Sequence, residues 1–474
     1  MDTQLSEINT FVITDLRLLR CPINMTLCYD PVIAEDGYTY ERRCIETHFK
    51  TKRTSPMTNE PIGHSLTSNM ILKQIIQNVL ENNSNLQKEF DDSKKEYSFR
   101  LGTELFDKCS DGNINAAQLL LDKGANVNFT CSQYWVYNEE EQEHHEWEGR
   151  TPLYVTCRKG HVNVVRLLLD NGANVNQADI DGKTPLYTAC KNGHVDVARL
   201  LIDKGAEINR ARTPRVTPLY GTCRKGHVDV ARLLLDKGAE IDRMLLHFVC
   251  ENDRVDVARL LIDKGANVNQ TDIIDGNTPL FTACENGHIL SADLLLENGA
   301  NINQVNKKGE NALHVAACCY KNDIDMVSLL LKKGAKIEAV TQNGKTSLHF
   351  ACHYGNADAI RLLLEKGADV NKADKNGNTP LFIACKYGGL VASVRLLLEK
   401  GADVNKTNQK GWTPLHIACK KNNNIDVVQL LIDNNTNINC LTKQGQRPLD
   451  IACEMKHFNI TQMLCVKENI SQQN

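Results

Sequence analysis

Thr184 to Asn209 reads TPLYTACKNGHVDVARLLIDKGAEIN, and this stretch decides the fold because the chain writes it again and again. Thr-Pro-Leu starts at Thr151, Thr184, Thr217, Thr278, Thr379 and Thr413, with the variants Asn311-Ala312-Leu313, Thr346-Ser347-Leu348 and Arg447-Pro448-Leu449. Thr151, Thr184 and Thr217 lie 33 residues apart, and the Gly-Ala pairs at 172, 205 and 238 keep that step. A fixed period in the low thirties means stacked units that bury their faces only against neighbours. Each unit is expected to hold two short helices. Thr184 can cap the first, Pro185 suits its first position, where no N–H is needed, and Gly172 sits where a helix ends in left-handed geometry.

These units resemble ankyrin repeats, down to Thr-Pro-Leu-His at Thr413 to His416 and Gly-Ala-Asp-Val-Asn at Gly367 to Asn371. The resemblance covers about 370 residues and implies a mostly α chain, with some eleven repeats over 101–465 forming an α-solenoid with β-hairpin fingers, then a tail at 466–474. Cys109, Cys157, Cys190, Cys223, Cys250, Cys284, Cys352, Cys385, Cys419 and Cys453 share one position, four residues after the repeat's Leu. Consecutive units stand about a helix diameter apart, too far for disulfides, so a small buried residue on the inner helix is the reading. The histidines at His161, His194, His227 and His288 in turns, and at His314, His349 and His416 after Leu, read as structural hydrogen-bonders.

Departures from the period carry more information. Cys109 to Cys157 spans 48 residues, which marks an insertion at 129–148 that reads as a surface projection. Cys223 to Cys250 spans only 27, so the finger at 241–246 is shortened and the finger row is expected to kink or gap there. Trp135, Trp147 and Trp412, the chain's three tryptophans, all lie away from repeat core positions, two in the insertion and one in a finger. Aromatic side chains in such places suit partner contacts. Residues just after the ladder cysteines, on what should be the concave side, change sign along the array. They run from Arg158, Lys159, Lys191, Arg224 and Lys225 through Glu251 and Glu285 to Lys386, Lys420 and Lys421. An acidic target segment across the basic ends is the expectation.

Ahead of the array, Cys21 to Asn59 occurs once. Its cysteines Cys21, Cys28 and Cys44, with His48 and the nearby His64, raise the question of zinc, but no pair sits at C-x2-C ligand spacing. Core cysteines and no metal are the better reading. Asp30-Pro31 and Glu35-Asp36-Gly37 are turn chemistry around a strand-like Val32-Ile33-Ala34; Glu41 to Phe49 and Asn69 to Leu80 show helical spacing.

Together these pieces resemble the U-box domain of ubiquitin ligases. The matching residues are Cys21-Pro22-Ile23, Asp30-Pro31-Val32-Ile33, Asp36 to Arg42, Ile45, Ser55-Pro56-Met57-Thr58-Asn59 and the helix Leu72 to Leu80, within 15–88. The resemblance implies a small α+β, RING-like fold without zinc, with Asp36, Glu41 and Arg42 in a polar network that stands in for the metal. It also implies docking of a ubiquitin-conjugating enzyme that carries ubiquitin, through Ile23, Met25, Pro56 and Asn59. The domain would then position the ubiquitin thioester for attack by a substrate lysine, with no covalent catalytic residue and no cofactor. A protein substrate would sit on the array, with Trp135, Trp147, Trp412, Arg158, Arg224, Lys225, Lys420 and Lys421 as candidate contacts. The competing reading is a non-catalytic scaffold whose U-box is degenerate.

Residues 1–14 read as a flexible lead and 89–100 as a linker, a solvated helix or hinge, with homodimerisation through the U-box or the following helix as an option. Net charge of -3 gives no global case for nucleic acid. No apolar run approaches the ~20 residues a membrane-spanning helix needs. Eighteen cysteines without a secretory signal point to a reducing compartment. Cytoplasm is the expectation, with the nucleus open. The Asn- and Lys-rich repeats fit an AT-rich amoeba, intracellular microbe or large virus, in which case the cytoplasm would be a host's.

Overall fold

The computed structural model describes residues 31–34, 38–42, 45, 54–58, 60–61, 66–68, 70–81, 84–131, 135–137, 144–146, 149–212, 216–318, 324–387, 391–421 and 425–473. The chain separates into two compact units, residues 1–185 with 203–206 and residues 186–202 with 207–474.

In the first unit, strand β1 (Pro31–Ala34) is the centre of an antiparallel sheet, flanked by β2 (Thr39–Glu41) and β3 (Leu66–Ser68). Val32 lies opposite both Tyr40 and Ser68. The period of two turns Val32 and Ala34 inward and leaves Ile33 exposed. Helix α1 (Met70–Glu81) lays Ile76 and Leu80 against Val32, Ala34, Tyr40 and Ile45 to form a core. The three-residue β3 was not foreseen from the sequence.

Helix α2 (Ser84–Ser110) is continuous through 89–100, the expected linker. Its composition is polar, but Leu86, Phe90, Tyr97, Leu101 and Leu105 recur at spacings of four and seven and so share one face. Leu86 and Phe90 join the sheet core. At the other end Leu101, Leu105, Phe106 and Cys109 are buried, where α2 packs on α3 (Ile114–Asp122) and α4 (Pro152–Lys159). One helix therefore completes two cores. Gly102, within α2, is required by close approach: a Cβ there would meet the buried Phe129 ring at 2.2 Å, and that ring also packs edge-on to Phe99 at 5.5 Å.

Phe129 opens the insertion. Backbone bonds from Cys131 N–H to Arg150 O (3.1 Å) and from Gly149 N–H to Cys131 O (2.9 Å) pinch its base. Beyond them β4 (Trp135–Tyr137) pairs antiparallel with β5 (His144–Glu146), so the insertion carries a hairpin of its own.

Both units use the same local chemistry. Thr151 and Thr217 accept hydrogen bonds at Oγ1 from Tyr154 N–H (3.1 Å) and Tyr220 N–H (3.2 Å), capping the inner helices that follow. The asparagine ending each Gly-Ala-x-x-Asn run ties one repeat to the next. In the first unit the Asn128 amide donates to Gly172 O (3.3 Å) while its Oδ1 accepts from Asn174 N–H (2.7 Å). In the second, Asn269 bridges to Gly299 O and Asn301 N–H, and Asn371 to Gly401 O and Asp403 N–H, in the same way. Fingers are tied by single backbone bonds, among them Lys307 N–H to Asp275 O, Gln342 N–H to Lys308 O and Lys443 N–H to Lys410 O. In the shortened finger Asp242 makes a local turn, accepting Met244 N–H at Oδ1 (2.8 Å), and the helices Leu245–Glu251 and Val255–Asp263 form as in other repeats. At the far end the expected tail, 466–474, continues helix Phe458–Gln473 as far as Gln473.

Ladder cysteines from Cys109 to Cys419 are buried as expected, whereas Cys453 is exposed. The histidines bridge repeats: His161, His227 and His288 reach Ser110 O, Lys191 O and Glu251 O, while His314, His349 and His416 reach Lys345 O, Asn378 O and Gln446 O. Gly193, at φ 80°, makes room for this: a Cβ on it would meet the His227 ring at 2.8 Å.

Two outcomes follow from this packing. Gly102→Ala should lower the urea midpoint, because overpacking costs about 1–3 kcal/mol against a helix-propensity gain of about 1 kcal/mol; an unchanged or higher midpoint would contradict the Phe129 contact. Burial, before any other effect, holds His314, His349 and His416 below the usual imidazole range. The unfolded chain then binds more protons, so stability is full above the unfolded pKa of about 6.5 and is lost as pH falls below it. Thermal melting from about pH 7.5 down to about pH 5.5, one unit either side of that value, should show the drop, and His416→Gln should flatten it.

Candidate functional site

The first candidate surface is the turn at 54–61. Thr54 and Pro61 form an antiparallel bridge, and Ser55 N–H donates to Glu60 O at 2.7 Å. The Ser55 side chain, 1 % exposed, accepts from Met57 N–H (3.1 Å) and Thr58 N–H (2.9 Å). A buried hydroxyl thus holds two backbone donors of the turn, and the turn presents a half-buried Pro56 beside Met57, which is 49 % exposed. Ile33 and Tyr38, on the same small domain, are also exposed.

Of the expected docking residues, Pro56 is the one with a described environment; Ile23, Met25 and Asn59 lie outside the described residues. For the expected polar network, Asp36 is also outside, Glu41 is placed in β2 opposite Pro31, and Arg42 follows half-buried. Cys21, Cys28, Cys44, His48 and His64, which prompted the zinc question, lie outside as well. Ser-Pro is turn chemistry in the sequence, but that the Ser55 hydroxyl is the buried staple of the turn follows only from the path of the chain.

The second candidate surface is on the array. Arg158 belongs to the first compact unit and Arg224, Lys225, Lys420 and Lys421 to the second, all four of the latter exposed. Trp135 sits in β4 opposite Glu146, and Trp147 lies outside the described residues. Trp412 is half-buried, its backbone fixed by Asn408, which accepts Trp412 N–H at 3.0 Å. Its ring lies 6.0 Å from that of His416, and Lys420 Nζ stands over it at 5.0 Å. Two residues singled out separately, Trp412 and Lys420, are thus brought together as a cation–π pair. Lys386 over Tyr387, at 4.8 Å, repeats the arrangement and was not singled out as a site.

The buried ladder thiols are not placed for chemistry. Burial pushes the ladder thiols of Cys109, Cys190, Cys223, Cys250 and Cys419 up to about 12, and those of Cys352 and Cys385 further. They stay protonated and are poor nucleophiles.

The family Ankyrin repeats (3 copies) matches residues 105–212, 211–272, 246–341, 317–408 and 389–474, and the chain belongs to the ankyrin-repeat proteins. Ahead of the array it carries a U-box domain, matched over residues 17–85. That stretch is 47 % identical over 64 residues to a probable bifunctional E2/E3 enzyme of Acanthamoeba polyphaga mimivirus, covering 14 % of this chain and 5 % of that protein. It is 55 % identical over 58 residues to WD repeat, SAM and U-box domain-containing protein 1 of Danio rerio, covering 12 % of each. It is 46 % identical over 66 residues to U-box domain-containing protein 12 of Oryza sativa subsp. japonica, covering 14 % of this chain and 11 % of that one. The chain spans between 5 and 12 % of the length of these relatives. No described helix is long and apolar enough to cross a membrane.

Removing the Ser55 hydroxyl takes the acceptor from two part-buried turn N–H groups, each bond worth about 0.5–1.5 kcal/mol net. Ser55→Ala should therefore lower the melting transition of the U-box core and increase hydrogen exchange at Met57 and Thr58; full protection of both amides would contradict the staple.

Proposed function

We propose that this protein is a ubiquitin ligase in which the U-box docks a ubiquitin-conjugating enzyme and the ankyrin array holds the substrate. The observation that carries the reading is the turn of Ser55 to Thr58, which offers Pro56 and Met57 at the surface of a domain that matches the U-box family. An apolar patch on a rigid loop suits a protein partner. Ile23 and Met25 would complete the patch, and Asn59 would hydrogen-bond the partner or its ubiquitin. Asp36, Glu41 and Arg42 would brace the two loops.

No side chain of the ligase needs to attack the thioester. Its contribution is proximity: the conjugating enzyme's thioester and a substrate lysine are held on one molecule, and the bimolecular step becomes effectively intramolecular. Protonated, buried ladder thiols agree with such a role. Helix α2 supports the arrangement, since it packs into both the sheet core and the start of the array. Trp135, Trp147, Trp412, Arg158, Arg224, Lys225, Lys420 and Lys421 remain the substrate contacts we propose, and cytoplasm the compartment.

Reconstituted ubiquitin transfer with a panel of conjugating enzymes tests this. Wild type should form ubiquitin chains on itself with at least one of them, and Ile23→Ala and Pro56→Ala should each reduce the rate by about tenfold, the loss of about 1.4 kcal/mol of docking energy. Inactivity of wild type across the panel would leave a binding scaffold, and full activity of both variants would reject this docking patch.

A further inference from the structure

Three successive repeats carry His353-Tyr354, Lys386-Tyr387 and Lys420-Lys421 just after their ladder cysteines, and their fingers carry Lys345, Asn378 and Trp412 just before the inner helix. Ankyrin stacking sets these residues in two neighbouring rows. The His353 ring lies 4.7 Å from Tyr354 and 3.9 Å from Tyr387, so the aromatic rings continue across the repeat boundary. Tyr354 and Tyr387 are 39 % and 46 % exposed. A cavity of about 260 Å³ opens beside them, lined by Lys308, Thr341, Lys345, Phe350, His353 and Tyr354.

We propose that this surface binds an extended acidic peptide segment that places an aromatic or large apolar side chain in the cavity. The aromatic rings supply contact area with few torsions to freeze. Lys308 and Lys345 line the cavity, opposed there by Glu310, Lys386 stands over Tyr387, and Lys420 and Lys421 hold the equivalent place in the next repeat. His353 reports the field: after burial, Lys345 and Lys386 are what lower its proton affinity. The basic run has a boundary. Glu285 is held protonated to higher pH by burial and then by Asp275, Glu251 and Glu310, against the opposing pull of Lys308, so the balance shifts toward acid in the preceding repeats. Repeats stand about 10 Å apart, so three of them offer about 20–30 Å, the length of about six to nine extended residues at ~3.3 Å each.

The proposal names the substrate chemistry of the array and in that respect rests on the ligase reading, but binding is measured without ubiquitin transfer, so the two can fail separately. The full chain is used to select from a random dodecapeptide display library, with the double variant Lys386→Glu, Tyr387→Ser as comparison. Wild type should enrich sequences rich in Asp and Glu around one aromatic or large apolar residue. Synthetic peptides from that pool should bind the variant at least about tenfold more weakly, and amidating their carboxylates (Asp to Asn, Glu to Gln) should weaken binding to wild type equally. Lys420→Glu, Lys421→Glu, two exposed positions, gives a second comparison should the first variant melt early. Basic or uncharged consensus sequences, equal enrichment on both variants, or no enrichment at all would overturn the proposal.

Discussion

The array depends on one constraint: a unit of two short helices cannot bury its own faces, so each repeat is finished by its neighbour. The asparagine at the end of each Gly-Ala-x-x-Asn run makes this dependence directional. Asn269 and Asn371 each donate a hydrogen bond to one backbone carbonyl of the next repeat and accept one from its backbone N–H. Two bonds fix both spacing and rotation, where a single one would leave a pivot. Helix caps, histidine bridges and finger contacts then fall into register because the repeat step has been fixed. Net hydrogen-bond energies are modest, about 1 kcal/mol each, so the asparagines act more by selecting one stacking geometry than by sheer strength. Burial of the ladder cysteines and leucines supplies the driving force.

This division of labour explains what the surface is free to do. Inner-helix cores and caps consume Thr, Pro, Leu, Ala and Cys at set positions, and the ladder asparagine consumes another. The positions after the cysteine and before the N-cap remain for recognition. At Glu251 and Glu285 they are acidic, and from two repeats beyond Glu285 they are aromatic and basic. A surface whose character changes over a few repeats can discriminate partners by charge order as well as by charge.

Most of the array was legible because its signals are local: a threonine before Pro-Leu, a glycine at positive φ, and a period of 33. Three features were less so. Strand β3 spans only Leu66 to Ser68 and gains its identity from pairing with β1, not from its own composition. Helix α2 hides its apolar stripe among charges, and the stripe makes sense only when two separate cores are known to need it. Tyr354 and Tyr387 stand a repeat apart in sequence and become one cluster only through His353. For the U-box, motif spacing was legible, while the work of the Ser55 hydroxyl required the path of the turn.

The sharing of α2 has a consequence for heredity. Ankyrin repeats can be gained or lost by recombination within the array, since any repeat presents the same two faces to its neighbours. The junction with the U-box is different: a crossover falling between Leu86 and Leu105 would separate side chains that finish the small sheet from those that finish the first repeat. Since the U-box match ends at residue 85, joining this U-box to another partner means either carrying α2 whole or rebuilding the half of it that finishes the sheet core.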